Sequence, residues 1–302
     1  MPTYRARLVR FLIRYSIGRK LRKVGLSVAE RRKLDDLMVR SQRPPRGTRV
    51  SPVTVSDLPA EWVRGPGAEA DAAILYLHGG GFIMGSPATH RELAARVSSA
   101  GQACVLSLGY RLLPEFPFPA ALEDARTAYQ WLLAQGYAPE QLIIGGDSSG
   151  AGLALQTLIS LRDDGVPLPC AGFFMSPVTD WVEPGGESFA TRAALDPLVS
   201  PDQCRHTSPL YAGSPAAGSP LLRPTEVDLT GLPPLWIQVG DHEVLLSDAE
   251  RLADRAAKAG VEVSFKIWPG MWHVFQSAAR YVPESRQSIE ELGRFLRGRL
   301  EA

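Results

Sequence analysis

Leu142-Ile143-Ile144-Gly145-Gly146-Asp147-Ser148-Ser149-Gly150-Ala151-Gly152 runs from a short apolar strand pattern, through a glycine-flanked turn, into a helical pattern that continues to Leu161. A strand, a tight turn and a helix in that order lift a serine hydroxyl above a strand end. Glycines at 146 and 150 let the backbone bend sharply enough to expose it. Ser148 is therefore the candidate nucleophile. A G-x-S-x-G string alone arises by chance about 0.2 times in a chain of this glycine and serine content, so its setting between strand and helix gives it its weight.

Upstream, His78-Gly79-Gly80-Gly81-Phe82 follows the apolar run Ala73 to Leu77. With five histidines and 28 glycines in the chain, His-Gly-Gly-Gly is expected by chance only about 0.004 times. Successive glycines clear every Cβ from a main-chain segment, which suits N–H groups that must close on an anionic ligand. The amides of Gly80 and Gly81, with that of Ser149 just after the nucleophile, make a candidate oxyanion hole. Each such donor is typically worth about 100- to 1000-fold in rate.

A serine nucleophile needs a base, and the base an orienting acid. His78 belongs to the glycine loop, and His90 and His206 read as solvated surface residues. His273, in Trp268-Pro269-Gly270-Met271-Trp272-His273 after the last strand pattern, can swing over the carboxyl edge of a sheet to Ser148. For the acid, Val239-Gly240-Asp241-His242-Glu243 ends another strand pattern, and Asp241 and Glu243 compete. Asp147 is expected to support the turn and Asp124 a nearby loop. Trp181, Phe189, Trp268 and Trp272 line either an acyl pocket or the core.

Around these motifs, apolar runs at Ala72–Leu77, Ala103–Leu108, Gln141–Ile144, Ala171–Met175, Leu235–Val239 and Val261–Trp268 alternate with amphipathic helices. The helices include Ala120–Leu133 and Ser247–Ala259, the latter opened by a Ser247/Glu250 capping box. That alternation is an α/β class with a mostly parallel sheet. Residues 46–180 and 225–302 form the catalytic core. Residues 181–224, rich in Pro, Gly and Ser, interrupt it as an insertion over the sheet.

The first 29 residues carry eight basic side chains and no acid, with Leu8, Phe11, Leu12 and Tyr15 at helical spacing. A second helical pattern runs from Val24 to Ser41, so residues 1–45 read as cap helices. The Leu8–Tyr15 stripe is expected to pack on the body of the protein, with an anionic membrane surface as the alternative.

Composition excludes other classes. A 45% hydrophobic content over 302 residues supplies a sizeable core, so disorder is excluded. Thirty-three basic against 32 acidic residues give a net charge of +1, which provides no field for nucleic acid. Three scattered cysteines fit neither a disulfide ladder nor a metal site. Asp241-His242-Glu243 has no second cluster at ligand spacing, so neither a metal nor a cofactor is expected. With no signal-peptide pattern and no bilayer-length apolar run, the expected location is the cytoplasm.

Taken together, the glycine loop, the Gly146–Gly152 turn, Tyr110-Arg111-Leu112-Leu113-Pro114-Glu115, Pro117 to Asp124, Ser176-Pro177, Gly231-Leu232-Pro233-Pro234 and Pro269 to His273 resemble the hormone-sensitive-lipase-like group of α/β-hydrolase esterases across most of the chain. The order serine, acid, histidine is the one expected of an α/β-hydrolase. The resemblance implies carboxylic-ester hydrolysis with short or medium acyl chains, a helical cap from the N-terminus and a mid-chain insertion, and a homodimer through an edge strand in the C-terminal part of the sheet. It favours Glu243 over Asp241 as the acid, because the group commonly places its acid two residues before a leucine, as Glu243 stands before Leu245. Glutamate there, and serine rather than alanine at 149, depart from the group's pattern.

The expected reaction is two-step acyl transfer on a small-molecule ester. Ser148 attacks, His273 shuttles the proton and Glu243 orients the imidazole, with activity falling as acid titrates His273. Amidase or long-chain lipase activity on the same residues, and ligand binding without catalysis, are the alternatives.

Overall fold

The computed structural model describes residues 1–23, 26–213 and 218–302. Val24, the first residue of the expected second helix, lies outside them. Three helices come first: α1 (Tyr4–Tyr15), α2 (Ile17–Leu21) and α3 (Val28–Ser41). Thr3 caps α1 through its side chain, and Ser27 with Glu30 forms a capping box on α3, which satisfies N–H groups that the first turn leaves without acceptors.

The strands follow as β1 (Arg49–Val55), β2 (Leu58–Arg64), β3 (Glu69–Leu77), β4 (Ala103–Leu108), β5 (Leu142–Asp147), β6 (Ala171–Met175), β7 (Leu235–Gly240) and β8 (Val263–Trp268). Between them run α4 (Pro87–Gly101), α5 (Ala120–Ala134), α6 (Ser149–Asp163), α7 (Glu187–Thr191), α8 (Pro201–Ala212) and α9 (Leu246–Lys258), with α10 (Pro283–Leu300) last. The sheet order is β1-β2-β4-β3-β5-β6-β7-β8, parallel from β4 to β8 and antiparallel where β2 meets β1 and β4. It is an α/β-hydrolase fold.

Helices cover both faces. Ile74, Tyr76, Ile143 and Phe173 pack with Leu93, Val97, Leu292 and Leu296 of α4 and α10. On the other face Leu75, Leu77, Ile144 and Ile237 pack with Leu132, Leu155 and Leu252 of α5, α6 and α9. A sheet buried on both faces needs uninterrupted apolar strands, and every residue of β4, β5 and β6 is buried. Leu77 pairs with Gly146, Asp147 with Met175, and Gly240 with Trp268. This register brings the loops after β3, β5, β6, β7 and β8 to one carboxyl edge.

Three sequence expectations change. α9 starts at Leu246 without a side-chain cap, so Ser247 falls inside the first turn and no Ser247/Glu250 box forms. Its hydroxyl instead accepts the Ser188 N–H at 3.0 Å. The Leu8, Phe11, Leu12 and Tyr15 stripe does not pack on the body: all four are exposed, and α1 seats Ala6, Val9 and Ile13 against Trp268, Met271 and Phe275. Finally, β1 and β2, absent from the list of apolar runs, extend the sheet.

Residues 1–23 meet the 181–224 segment through main-chain carbonyls. Arg14 donates to Ala194 at 2.6 Å, and Arg22 donates to Ala193 at 2.9 Å and to Asp196. Among the described residues no helix is long and apolar enough to cross a membrane.

Candidate active site

Ser148 sits between β5 and α6 with φ 53° and ψ −122°, a strained backbone for a residue with a side chain. Its N–H donates to Met175 O at 2.8 Å, so pairing with β6 holds the turn in place. Gly150 permits the sharp approach, since a Cβ there would stand 2.1 Å from Leu77 O and 2.4 Å from His78 O.

Ser148 Oγ lies 2.9 Å from His273 Nε2, and His273 Nδ1 lies 2.9 Å from Glu243 Oε2. The other carboxylate oxygen, Glu243 Oε1, accepts from Ser176 Oγ at 2.8 Å and from Gly240 N–H at 2.6 Å. Ser176 Oγ in turn accepts the Val274 N–H at 3.1 Å, beside the histidine. Glu243 is fully buried, and these donors with the imidazole balance the cost of placing a carboxylate there. Burial works against the imidazolium of His273. The hydrogen bond and charge of Glu243, helped by Asp196 and Asp147, outweigh it and raise the His273 pKa above the ordinary 6.5.

Asp241 points elsewhere. Its Oδ1 accepts the Gly270 N–H at 2.5 Å and lies 3.8 Å from His242 Nε2, while the Arg10 guanidinium meets His242 Nδ1. Glu243, two residues further on, is the carboxylate that reaches His273.

The glycine loop is fastened to the serine turn by Asp147, whose Oδ1 accepts from Tyr76 Oη at 2.6 Å and from Gly79 N–H at 3.1 Å. His90 faces Asp147 Oδ2 at 3.5 Å and stacks on His78, which itself stacks on Tyr110. His90 is thus a mostly buried partner of the loop, in contrast to the solvated residue expected; α4 turns it inward over Tyr76. Burial and the neighbouring His90 push His78 down to about 3, so it is neutral. Gly80, at φ 125°, admits no side chain, because its Cβ would stand 2.0 Å from Met84 O. Gly81 N–H donates to Ser149 Oγ at 2.9 Å.

Ser148 and His273 open into a cavity of about 440 Å³. Its walls include Ile13 and Ile17 from the N-terminal helices, Met38 of α3, Trp181, and Leu198 and Thr207 from the 181–224 segment. Trp181 thus lines the cavity, whereas Phe189, Trp268 and Trp272 pack in the core. Asp124 accepts from the Arg111 main chain at 2.7 Å and from its guanidinium, bracing that loop as expected.

Two residues carry roles the sequence reading did not assign. Ser176 links Glu243 to the His273 loop, and its only sequence signal is the following proline at a strand end. Asp196 is fully buried, accepting Val244 N–H at 3.0 Å and the Leu198 and Val199 N–H groups. It thereby ties the 181–224 segment to the loop bearing Glu243, and an Asp-Pro pair is too common to mark it. Among the described residues no cluster of His, Cys, Asp and Glu could hold a metal ion.

The α/β hydrolase fold family matches residues 74–277. An acetyl-hydrolase of Streptomyces hygroscopicus is 46% identical over 245 residues, covering 81% of each chain. The carboxylesterase/phospholipase LipF of Mycobacterium tuberculosis is 36% identical over 273 residues, 87% of this chain and 72% of that one. A solved esterase from the bacterial hormone-sensitive lipase family superposes with a TM-score of 0.93 at 41% identity, over 99% of both chains. The chain belongs to the α/β-hydrolase fold family, in its hormone-sensitive-lipase-like group of esterases. Within that group it is a serine carboxylesterase, an enzyme that hydrolyses carboxylic esters.

Proposed function

We propose that Ser148, His273 and Glu243 are the catalytic triad and that the enzyme hydrolyses short- to medium-chain acyl esters of small alcohols. The observation that carries this reading is the unbroken line of two 2.9 Å contacts from Ser148 Oγ through His273 to buried Glu243. Ser148 attacks the ester carbonyl as His273 Nε2 takes its proton. The oxyanion is received by the amides of Gly80, Gly81 and Ser149. His273 then protonates the leaving alcohol, and water activated by the same imidazole releases the acid from the acyl-enzyme. Glu243 holds the tautomer with Nε2 open to the serine and stabilises the imidazolium. No step needs a cofactor.

The cavity of about 440 Å³ falls in the lower part of the range for small-molecule sites, which favours a modest acyl chain. We infer further that residues 1–45 and 181–224 act as the cap that shapes it. Rates on p-nitrophenyl acetate, hexanoate and palmitate beside an anilide test the reading: a maximum at hexanoate or below supports it, and a palmitate or anilide maximum replaces it with a lipase or amidase. Stoichiometric labelling of wild type, but not Ser148→Ala, by an organophosphonate separates catalysis from simple ligand binding. A cytoplasmic location is supported by three cysteines, none in a disulfide. We propose a homodimer through edge strand β8, whose partial exposure supports the reading, and light scattering on the eluting protein tests it.

A further inference from the structure

Helix α1 has two apolar faces, and among the described residues only one of them is packed. Ala6, Val9 and Ile13 face the body of the protein. On another side of the same helix stand Tyr4, Leu8, Phe11, Leu12 and Tyr15, at i, i+4, i+7, i+8 and i+11, a continuous stripe down the helix. All five are exposed, from 43% for Leu8 to 79% for Tyr4, and the Phe11 and Tyr15 rings lie 4.6 Å apart. Water is a poor medium for such a row, which on a protein surface marks a place of contact.

Charge selects the occupant. Exposed Arg5 and Arg7 flank the stripe, and exposed Arg19, Lys20 and Lys23 continue the positive field beyond it, with no acidic residue before Glu30. Arg10, Arg14 and Arg22 already have partners on the body, so the five exposed cations are additional to what packing uses. A second copy of this chain, docking the same face symmetrically, would set these cations against their own kind.

We propose that the outer face of α1 is a docking surface for an anionic phospholipid bilayer, with the aromatic and leucine side chains entering the headgroup boundary and the cations engaging lipid phosphates. An amphipathic helix with tyrosine and phenylalanine on one face and arginine beside it is suited to that boundary. The consequence reaches the active site. Ile13, on the same helix, and Ile17 and Leu21 of α2 line the cavity that holds Ser148 and His273, so docking brings one wall of that cavity to the bilayer. The docking itself does not depend on the esterase reading.

The test is co-sedimentation of the full chain with phosphatidylcholine vesicles, with and without about 30% phosphatidylglycerol, while turnover of soluble p-nitrophenyl butyrate reports folding. Expected is at least about tenfold more protein on the anionic vesicles, falling as salt is raised from about 0.1 M to about 0.5 M. Phe11→Glu with Leu12→Glu should remove the binding, and Arg5→Gln with Arg7→Gln should weaken it, both with soluble turnover retained. Equal binding to neutral and anionic vesicles overturns the proposal, as does no binding to either. A dimer dissolved by Phe11→Glu, without vesicle binding, would assign the face to a second copy instead.

Discussion

Ser149 Oγ accepts the main-chain N–H of Gly81 at 2.9 Å, so a side chain occupies one of the three donors assigned to the oxyanion. During reaction the Gly81 N–H must exchange this partner for the substrate oxygen. A neutral hydrogen bond is worth about 0.5–1.5 kcal/mol net. Ser149→Ala should therefore raise kcat by about 2- to 10-fold, with KM little changed. A clear fall in kcat would mean instead that the hydroxyl holds the loop in its working position.

The pH profile follows from the sign of the His273 shift. The base must be neutral to accept the serine proton, and its pKa is raised, chiefly by Glu243 against the effect of burial. kcat/KM should fall as pH drops through a midpoint above 6.5. In Glu243→Gln the charge is lost while burial remains, so the midpoint should move down along with the plateau rate. A profile whose midpoint is the same in both proteins would contradict the coupling.

The two acids near β7 predict opposite outcomes. Glu243→Ala should lose about 10³- to 10⁴-fold in kcat, as removal of an orienting carboxylate does elsewhere. Asp241→Ala loses the bond to Gly270 N–H and the contact with His242, neither of which touches Ser148 or His273, and should stay within about tenfold of wild type. Equal losses in both would reopen the assignment.

His90 and Asp147 make a stability prediction. Burial disfavours charge on both, yet each favours the charged form of the other: His90 is raised above 6.5 and Asp147 lowered below 3.8. The raised histidine stabilises the fold below 6.5 and loses that contribution as pH rises through its folded pKa. The lowered aspartate stabilises above 3.8 and loses its contribution as pH falls through its own. The Tm difference between wild type and His90→Gln should therefore be larger at about pH 5.5 than at about pH 9. A difference independent of pH would show the pair to be uncharged.

Legibility in the sequence tracked burial. β4 and β6 end where their apolar runs end, because both faces of those strands are covered. β1 left no such run, since five of its seven residues face solvent. That Ser148 and His273 meet was readable because strand-to-helix context and chain order constrain them, and the approach of Glu243 through a spacing likeness. Asp196, Ser176 and the inward turn of His90 arise from contacts between segments far apart in the chain, which no local pattern encodes. The α1 stripe was legible as a stripe, but its direction was not: Ala6, Val9 and Ile13 offer a second apolar side, and only the docking of the helix decides between them.

The hydrogen bonds from Arg14 and Arg22 to residues 193, 194 and 196 all end on main-chain carbonyls. The side chains of Ala193 and Ala194 can therefore be exchanged without losing these hydrogen bonds to residues 1–23, whereas Asp196 is also held through its carboxylate by the Val244 N–H. Drift at those two positions leaves the latch, and the contacts joining Ser148, His273 and Glu243, in place.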